Sequence, residues 1–94
     1  MKKLSDMPNI GKNLEATLEG AGIRTPLELI HAGSQNALLR IREIDNTACY
    51  NMLCALEGAI MGIRWHDLPP GRKEELKSFM RLKEIPFSPL KQKS

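Results

Sequence analysis

The chain has 94 residues, 41% of them hydrophobic and 27% charged, with one Trp, one Tyr and two Phe, a composition that excludes a disordered ground state and allows one modest core of Leu, Ile and Met. Residues 72–94 hold seven Lys or Arg against three Glu (+4) and residues 1–71 hold seven against eight acids (−1), so the formal net charge of +3 excludes a broad basic face over the first 71 residues. A basic-then-apolar leader is absent, and the apolar run from Thr47 to Ile63 is short and interrupted by Glu57, which points to a soluble, cytoplasmic protein without a transmembrane helix.

In chain order, Met7-Pro8-Asn9-Ile10-Gly11-Lys12 reads as a tight turn that opens a helix. Pro8 fixes its own backbone and pushes Met7 towards extended geometry, Asn9 and Gly11 tolerate positive φ, and Ile10 is an apolar anchor. The helix that follows places Ile10, Leu14, Leu18 and Ala21 on one face and leaves the amides of Gly11, Lys12 and Asn13 free at its start, where they can hold a phosphate. Gly22 ends it, because Leu18 and Ile23 stand where a Schellman cap brings two apolar side chains together around a left-handed glycine. Thr25-Pro26-Leu27-Glu28 spells a capping box with proline at the first helical position, so a short second helix runs to Gly33 with Leu27 and Ile30, and His31 beside them, turned inwards. His31 has no carboxylate or second His in sequence range and reads as a helix-end side chain. Ser34 then caps a third helix with Ala37, Leu38, Ile41 and Ile44 as its buried stripe. Arg40 and Arg42, about 200° apart on it, cannot face one phosphate together.

Asp45 or Asn46 caps a fourth helix, Thr47 to Met61, which is the centre of the core: Cys49, Leu53, Leu56, Ile60 and Ile63 recur at the helical period. Ala48, Ala55, Gly58, Ala59 and Gly62 beside them admit a closely packed neighbour. Cys49 and Cys54, about 140° apart on a helix, cannot share a metal or a disulfide and read as two reduced thiols. Glu57 needs a partner in the core, for which Arg64 or a backbone amide is expected. Arg64 to Pro70 forms a stiff crossing in which Trp65 seals the bottom of the core. Pro70 starts a last helix, with Glu74 and Glu75 suiting its first turn and Leu76, Phe79, Met80 and Lys83 on one face, and Pro86 stops it. Asp67-Leu68-Pro69-Pro70-Gly71-Arg72 echoes the segment from Asp6 to Lys12, one residue shorter, as a second turn of similar use. The expected fold is an all-α, compact five-helix domain over residues 1–86, followed by a basic flexible tail, 87–94.

No nucleophile stands beside a base, no ligand cluster has metal spacing and no Gly-rich loop cradles a nucleotide, so no catalytic residue, metal or cofactor is expected. Two non-enzymatic classes remain, a DNA-associated regulatory module and a protein-docking module, and salt separates them because phosphate contacts weaken steeply with ionic strength. The candidate phosphate contacts are Asn9, Gly11, Lys12 and Asn13 in the first turn, with Arg72 and Lys73 in the second. The bland reading of the first turn is a helix-opening bend packed by Ile10.

The Pro8-Asn9-Ile10-Gly11-Lys12 turn resembles the hairpin of helix-hairpin-helix DNA-binding modules, whose loop presents backbone amides to the phosphodiester; Asn9 stands where the first glycine of that loop would be. On that resemblance, Asn9→Gly is expected to leave DNA affinity equal or better and stability nearly unchanged. More widely, Met7-Pro8-Asn9-Ile10-Gly11, Leu18, Ala21-Gly22-Ile23, Leu56-Glu57-Gly58-Ala59, Gly62-Ile63-Arg64-Trp65 and Asp67-Leu68-Pro69 together resemble the C-terminal domain of the TfoX/Sxy family of bacterial natural-competence regulators, over Leu4 to Leu82. The resemblance implies an all-helical domain of helix-hairpin-helix character, in proteins that promote transcription of competence genes alongside the cAMP receptor protein and that commonly carry a separate N-terminal domain. DNA and the cAMP receptor protein are the partners it implies.

Overall fold

Glycine and proline divide this chain, and the structure follows their punctuation. The computed structural model describes residues 3–46 and 48–83, whose regular structure is entirely helical: α1 (Lys12–Gly20), α2 (Pro26–Arg42), α3 (Tyr50–Met61) and α4 (Pro70–Leu82), with single 3₁₀ turns at Leu4–Asp6 and Trp65–Asp67. Among the described residues no helix is long and apolar enough to cross a membrane. The tail assigned to residues 87–94 and the stop at Pro86 lie outside the described residues.

Four α-helices stand where five were expected, because the second and third run on as one element, α2. Gly33 adopts φ 82° and ψ 159° in its middle, and a single glycine outside helical geometry kinks the element without leaving a linker. The N-cap expected of Ser34 is not made; its buried hydroxyl donates to Glu57 on α3 instead. The inward face of the first half of α2 also differs. Pro26 and Leu29 are buried while Leu27 and Ile30 are 64% and 44% exposed, and His31 lies at the surface.

The helix ends behave as their caps dictate. Thr25 Oγ1 accepts the Glu28 amide at 3.1 Å, and the Glu28 carboxylate reaches back to the Arg24 amide, one residue before the usual partner in a capping box. At the end of α1 the Ile23 amide donates to Leu18 O at 2.9 Å and the Gly22 amide to Glu19 O at 3.0 Å, around Gly22 at φ 89°. Leu18 and Ile23 are both fully buried, as the Schellman pattern demands. The end of α3 repeats the device: the Ile63 amide donates to Gly58 O and the Gly62 amide to Ala59 O, with Gly62 at φ 77°. Gly62 is thus a cap and not the packing residue expected of it, since nothing lies within 4 Å of where its Cβ would stand.

The same emptiness around Gly22 makes its backbone the only obstacle to a side chain there. Gly22→Val should therefore destabilise by about 1 to 2 kcal/mol and Gly22→Asn by much less. Equal losses on thermal unfolding of the two variants would place the constraint elsewhere.

α3 begins at Tyr50, three residues later than expected, with Cys49 as its N-cap. The Asp45 amide is still bonded to Ile41 O at 2.8 Å, so Asp45 belongs to the closing turn of α2, and the N-cap position of α3 falls to Cys49. α3 packs chiefly against α2, and also against α4 and the 3₁₀ turn Trp65–Asp67, while α1 packs on α2 and on the 3₁₀ turn Leu4–Asp6. Leu53, Cys54, Leu56 and Ala59 of α3 meet Leu29, Leu38 and Ile41 of α2 and Leu76 and Met80 of α4 in one core, completed by Leu4, Met7, Ile10, Leu18 and Ile23. Trp65 does not seal this core; it is 37% exposed and stacks on His66 with ring centroids 4.0 Å apart.

Candidate nucleic-acid interface

The segment from Asp6 to Lys12 takes its shape from one polar side chain. Met7 and Ile10 are buried anchors on either side of Pro8-Asn9, and Asn9 sits at φ 69°, the only non-glycine residue among those described with positive φ. Its amide nitrogen donates to Ile63 O at 2.9 Å and to Ala55 O at 3.3 Å, and its Oδ1 accepts the Trp65 amide at 3.1 Å. These three bonds clasp the N-terminal turn onto the end of α3 and the start of the second 3₁₀ turn. Asn9, expected at the phosphate-facing edge, thus points its side chain into the fold.

Gly58 makes that approach possible. A Cβ on Gly58 would stand 2.5 Å from Asn9 Nδ2, 2.8 Å from Ile63 O and 3.2 Å from Trp65 Cα. The clasp also joins the two segments whose sequences echo one another. Each is a 3₁₀ turn ending in an aspartate (Asp6, Asp67), a buried apolar residue (Met7, Leu68), a proline and then the approach to a helix.

Beyond Asn9 the chain comes to the surface. Gly11 is the N-cap of α1 and supplies no side chain to its first turn, and the first cross-turn bond runs from the Glu15 amide to Gly11 O at 3.0 Å. Gly11, Lys12 and Asn13 are all exposed. Lys12 makes no ion pair among the described residues, and Asn13 also borders a groove of about 440 Å³ with Leu14, Thr17, Asn51 and Met52. An exposed helix start with free amides and one neighbouring cation suits an anion.

The other two candidates, on α4, are placed differently. Arg72 Nε lies 2.9 Å from Glu57 Oε2, its Nη2 donates to Glu57 Oε1 at 3.2 Å and its Nη1 to Glu75 Oε1 at 2.8 Å, leaving the side chain one-third exposed. Arg72, not Arg64, is therefore the partner of Glu57, which also accepts the Ser34 hydroxyl at 2.7 Å. Arg64 lies in the exposed turn beyond the α3 cap, whereas the first turn of α4 brings Arg72 against α3. Glu74 and Glu75 fall just past that first turn and pair with Lys77 and Arg72. Burial pushes the Glu57 carboxyl up, but the hydrogen bonds from Arg72 and Ser34, with the guanidinium charge, outweigh it and hold the group below the usual glutamate value. Lys73 is half-buried beside Arg72 in sequence and makes no ion pair among the described residues.

Both cysteines are free thiols. Burial raises the Cys54 thiol above its ordinary value, and burial followed by the hydrogen bond to Cys54 pushes the Tyr50 hydroxyl up to about 12, so both stay protonated at neutral pH. Among the described residues no three His, Cys, Asp or Glu side chains converge as a metal site would require.

Comparison with known proteins agrees with this architecture. The chain is 37% identical over 75 residues to the protein Sxy of Escherichia coli K12, a stretch that takes in 80% of this chain and 36% of Sxy, so the chain spans about a third of that relative's length. Two crystal structures from Listeria monocytogenes superpose closely. An uncharacterized protein in a triclinic form has a TM-score of 0.84 at 52% identity, covering 89% of this chain and 97% of its own. A protein of unknown function in a tetragonal form has a TM-score of 0.82 at 54% identity, covering 85% and 98%. Residues 1–80 match the profile of the TfoX C-terminal domain, and with the all-helical fold and the relationship to Sxy this places the chain in the TfoX C-terminal domain family.

Proposed function

We propose that this domain is a non-enzymatic regulatory module that contacts the DNA backbone through the start of α1, its N-terminal half working in the manner of a helix-hairpin-helix, in competence transcription alongside a DNA-bound regulator such as the cAMP receptor protein. The observation that carries the reading is the uncapped helix start at Gly11, with its free amides beside the exposed Lys12. Gly11, Lys12 and Asn13, with Lys73, form the contacting set. Asn9 and Arg72 act one step behind, holding α1 and α4 in place through bonds within the protein. Few phosphates are neutralised by such a set, so affinity is low and falls quickly with salt.

A second reading, docking onto a protein partner without DNA contact, is favoured by the inward commitment of Asn9 and Arg72 and by the charge of −1 over residues 1–71. Titration of a labelled duplex at low salt separates the two. The parent should bind, and Lys12→Glu should bind more weakly, with a log-log salt slope shallower by roughly one unit on duplexes of any sequence. A parent that fails to bind even at low salt, or a Lys12→Glu variant that binds as the parent does, would leave docking as the function.

A further inference from the structure

The first half of α2 presents aliphatic side chains to water although its register could have buried them. Leu27 is 64% exposed and Ile30 44%, on an element whose buried face is taken by Pro26 and Leu29. Leu27 forms part of a cavity of about 560 Å³ whose walls also include Thr25, Glu28, His31 and Arg40. Two of the polar walls are engaged within the protein: Thr25 Oγ1 accepts the Glu28 amide, and the Glu28 carboxylate accepts the Arg24 amide at 2.6 Å. The other two are not. Among the described residues, neither the Arg40 nor the His31 side chain has a hydrogen-bonding or ionic partner.

The surface therefore combines an exposed aliphatic anchor with an unpaired guanidinium and an unpaired imidazole, and its one carboxylate is already taken by a backbone amide. A phosphate or nucleotide would use the Arg40 guanidinium and leave the leucine in water. A polypeptide segment carrying Leu or Ile next to Asp or Glu uses both, the aliphatic groups burying one another and the carboxylate taking the Arg40 fork in a bidentate pair. We propose that this face of α2 docks an acidic segment of a protein partner, anchored by an aliphatic side chain against Leu27 and by a carboxylate on Arg40. It shares no residue with the start of α1 assigned to DNA, and its test involves no DNA-binding step, so the two assignments fail separately.

The test is a titration of the isotope-labelled chain, followed by amide chemical shifts, with three probes: a synthetic peptide of leucines flanked by glutamates, the same peptide with lysines for glutamates, and a short DNA duplex. The acidic peptide alone should shift amides between Thr25 and Ala32 and around Arg40. Leu27→Glu and Arg40→Glu should each weaken it about tenfold or more, and Arg40→Lys less, because it keeps the charge and loses the fork. Both side chains are exposed, so the variant spectra should otherwise match the parent. The assignment is overturned if the acidic peptide shifts nothing or shifts residues elsewhere, if the lysine peptide binds equally well, if the duplex perturbs this face, or if Leu27→Glu binds as the parent does.

Discussion

Replacing Arg72 by alanine should cost the protein about 3 kcal/mol near neutral pH, because it leaves the Glu57 carboxylate in the interior with only the Ser34 hydroxyl to solvate it. The side chain of Glu57 is 12% exposed and that of Arg72 33%, so water relieves part of the penalty and the loss falls at the lower end of what breaking a buried pair entails. The pH dependence identifies the cause. In the parent the folded-state pKa of Glu57 is depressed, so the pair contributes stability above the unfolded value of about 4.3 and loses that contribution as pH falls through the folded value. Without Arg72 the desolvation that now opposes the shift is left dominant. The folded pKa then rises above the unfolded one, and protonation on acidification relieves the variant. Urea unfolding at pH 7 and at about pH 4 should show the gap between parent and Arg72→Ala narrowing in acid. A gap unchanged with pH would mean that Arg72 acts by packing its stem and not by its charge.

Gly58→Ala is the second large effect, expected at about 2 to 5 kcal/mol, because the added methyl cannot be accommodated by the movement of one flexible group. Asn9 Nδ2, 2.5 Å away, could be pushed aside, but only by breaking its bonds to Ala55 O and Ile63 O. The carbonyl of Ile63, 2.8 Å away, is itself part of the α3 cap turn. Asn9→Gly removes the same clasp from the other side. It leaves the Trp65 amide without its acceptor, so the near-neutral stability expected of it from sequence does not survive the structure. Since both substitutions dismantle one set of bonds, the double variant should lose clearly less than the sum of the singles in chemical denaturation. Additive losses would show that Gly58 serves helix packing independently of Asn9.

Local rules carried much of this fold in the sequence. Gly22 with Ile23, the Thr25 capping box, Pro70 at the start of α4 and the helical period from Leu53 to Leu56 each depend on neighbours within a few residues, and each stands as read. What escaped depends on distance along the chain. Asn9 meets Ala55, Ile63 and Trp65 across 46, 54 and 56 residues, and Glu57 meets Arg72 on a different helix. Helical spacing could only offer Glu57 the partner on its own side of the turn, Arg64. Leu27 and Ile30 face outwards because a short helix offers two stripes of similar apolarity, and the one containing Pro26 and Leu29 took the core. The second cap is legible from the first, since Gly62-Ile63-Arg64 repeats Gly22-Ile23-Arg24. Of the candidate interface, the exposure of Gly11, Lys12 and Asn13 was legible, whereas the inward engagement of Asn9 and Arg72 was not.

The long reach of Asn9 also sets an order of events. Helix caps close within a few residues and form on the timescale of local structure, whereas the clasp requires α3, its Gly62 turn and the Trp65 amide to exist before residue 9 has anything to hold. During synthesis the N-terminal turn therefore waits for its clasp until some fifty further residues have emerged. The same bonds join segments that meet only in the assembled fold, so they are expected to form late. Their loss should then act mainly on the rate of unfolding, which would give the candidate DNA-contacting edge a kinetic persistence.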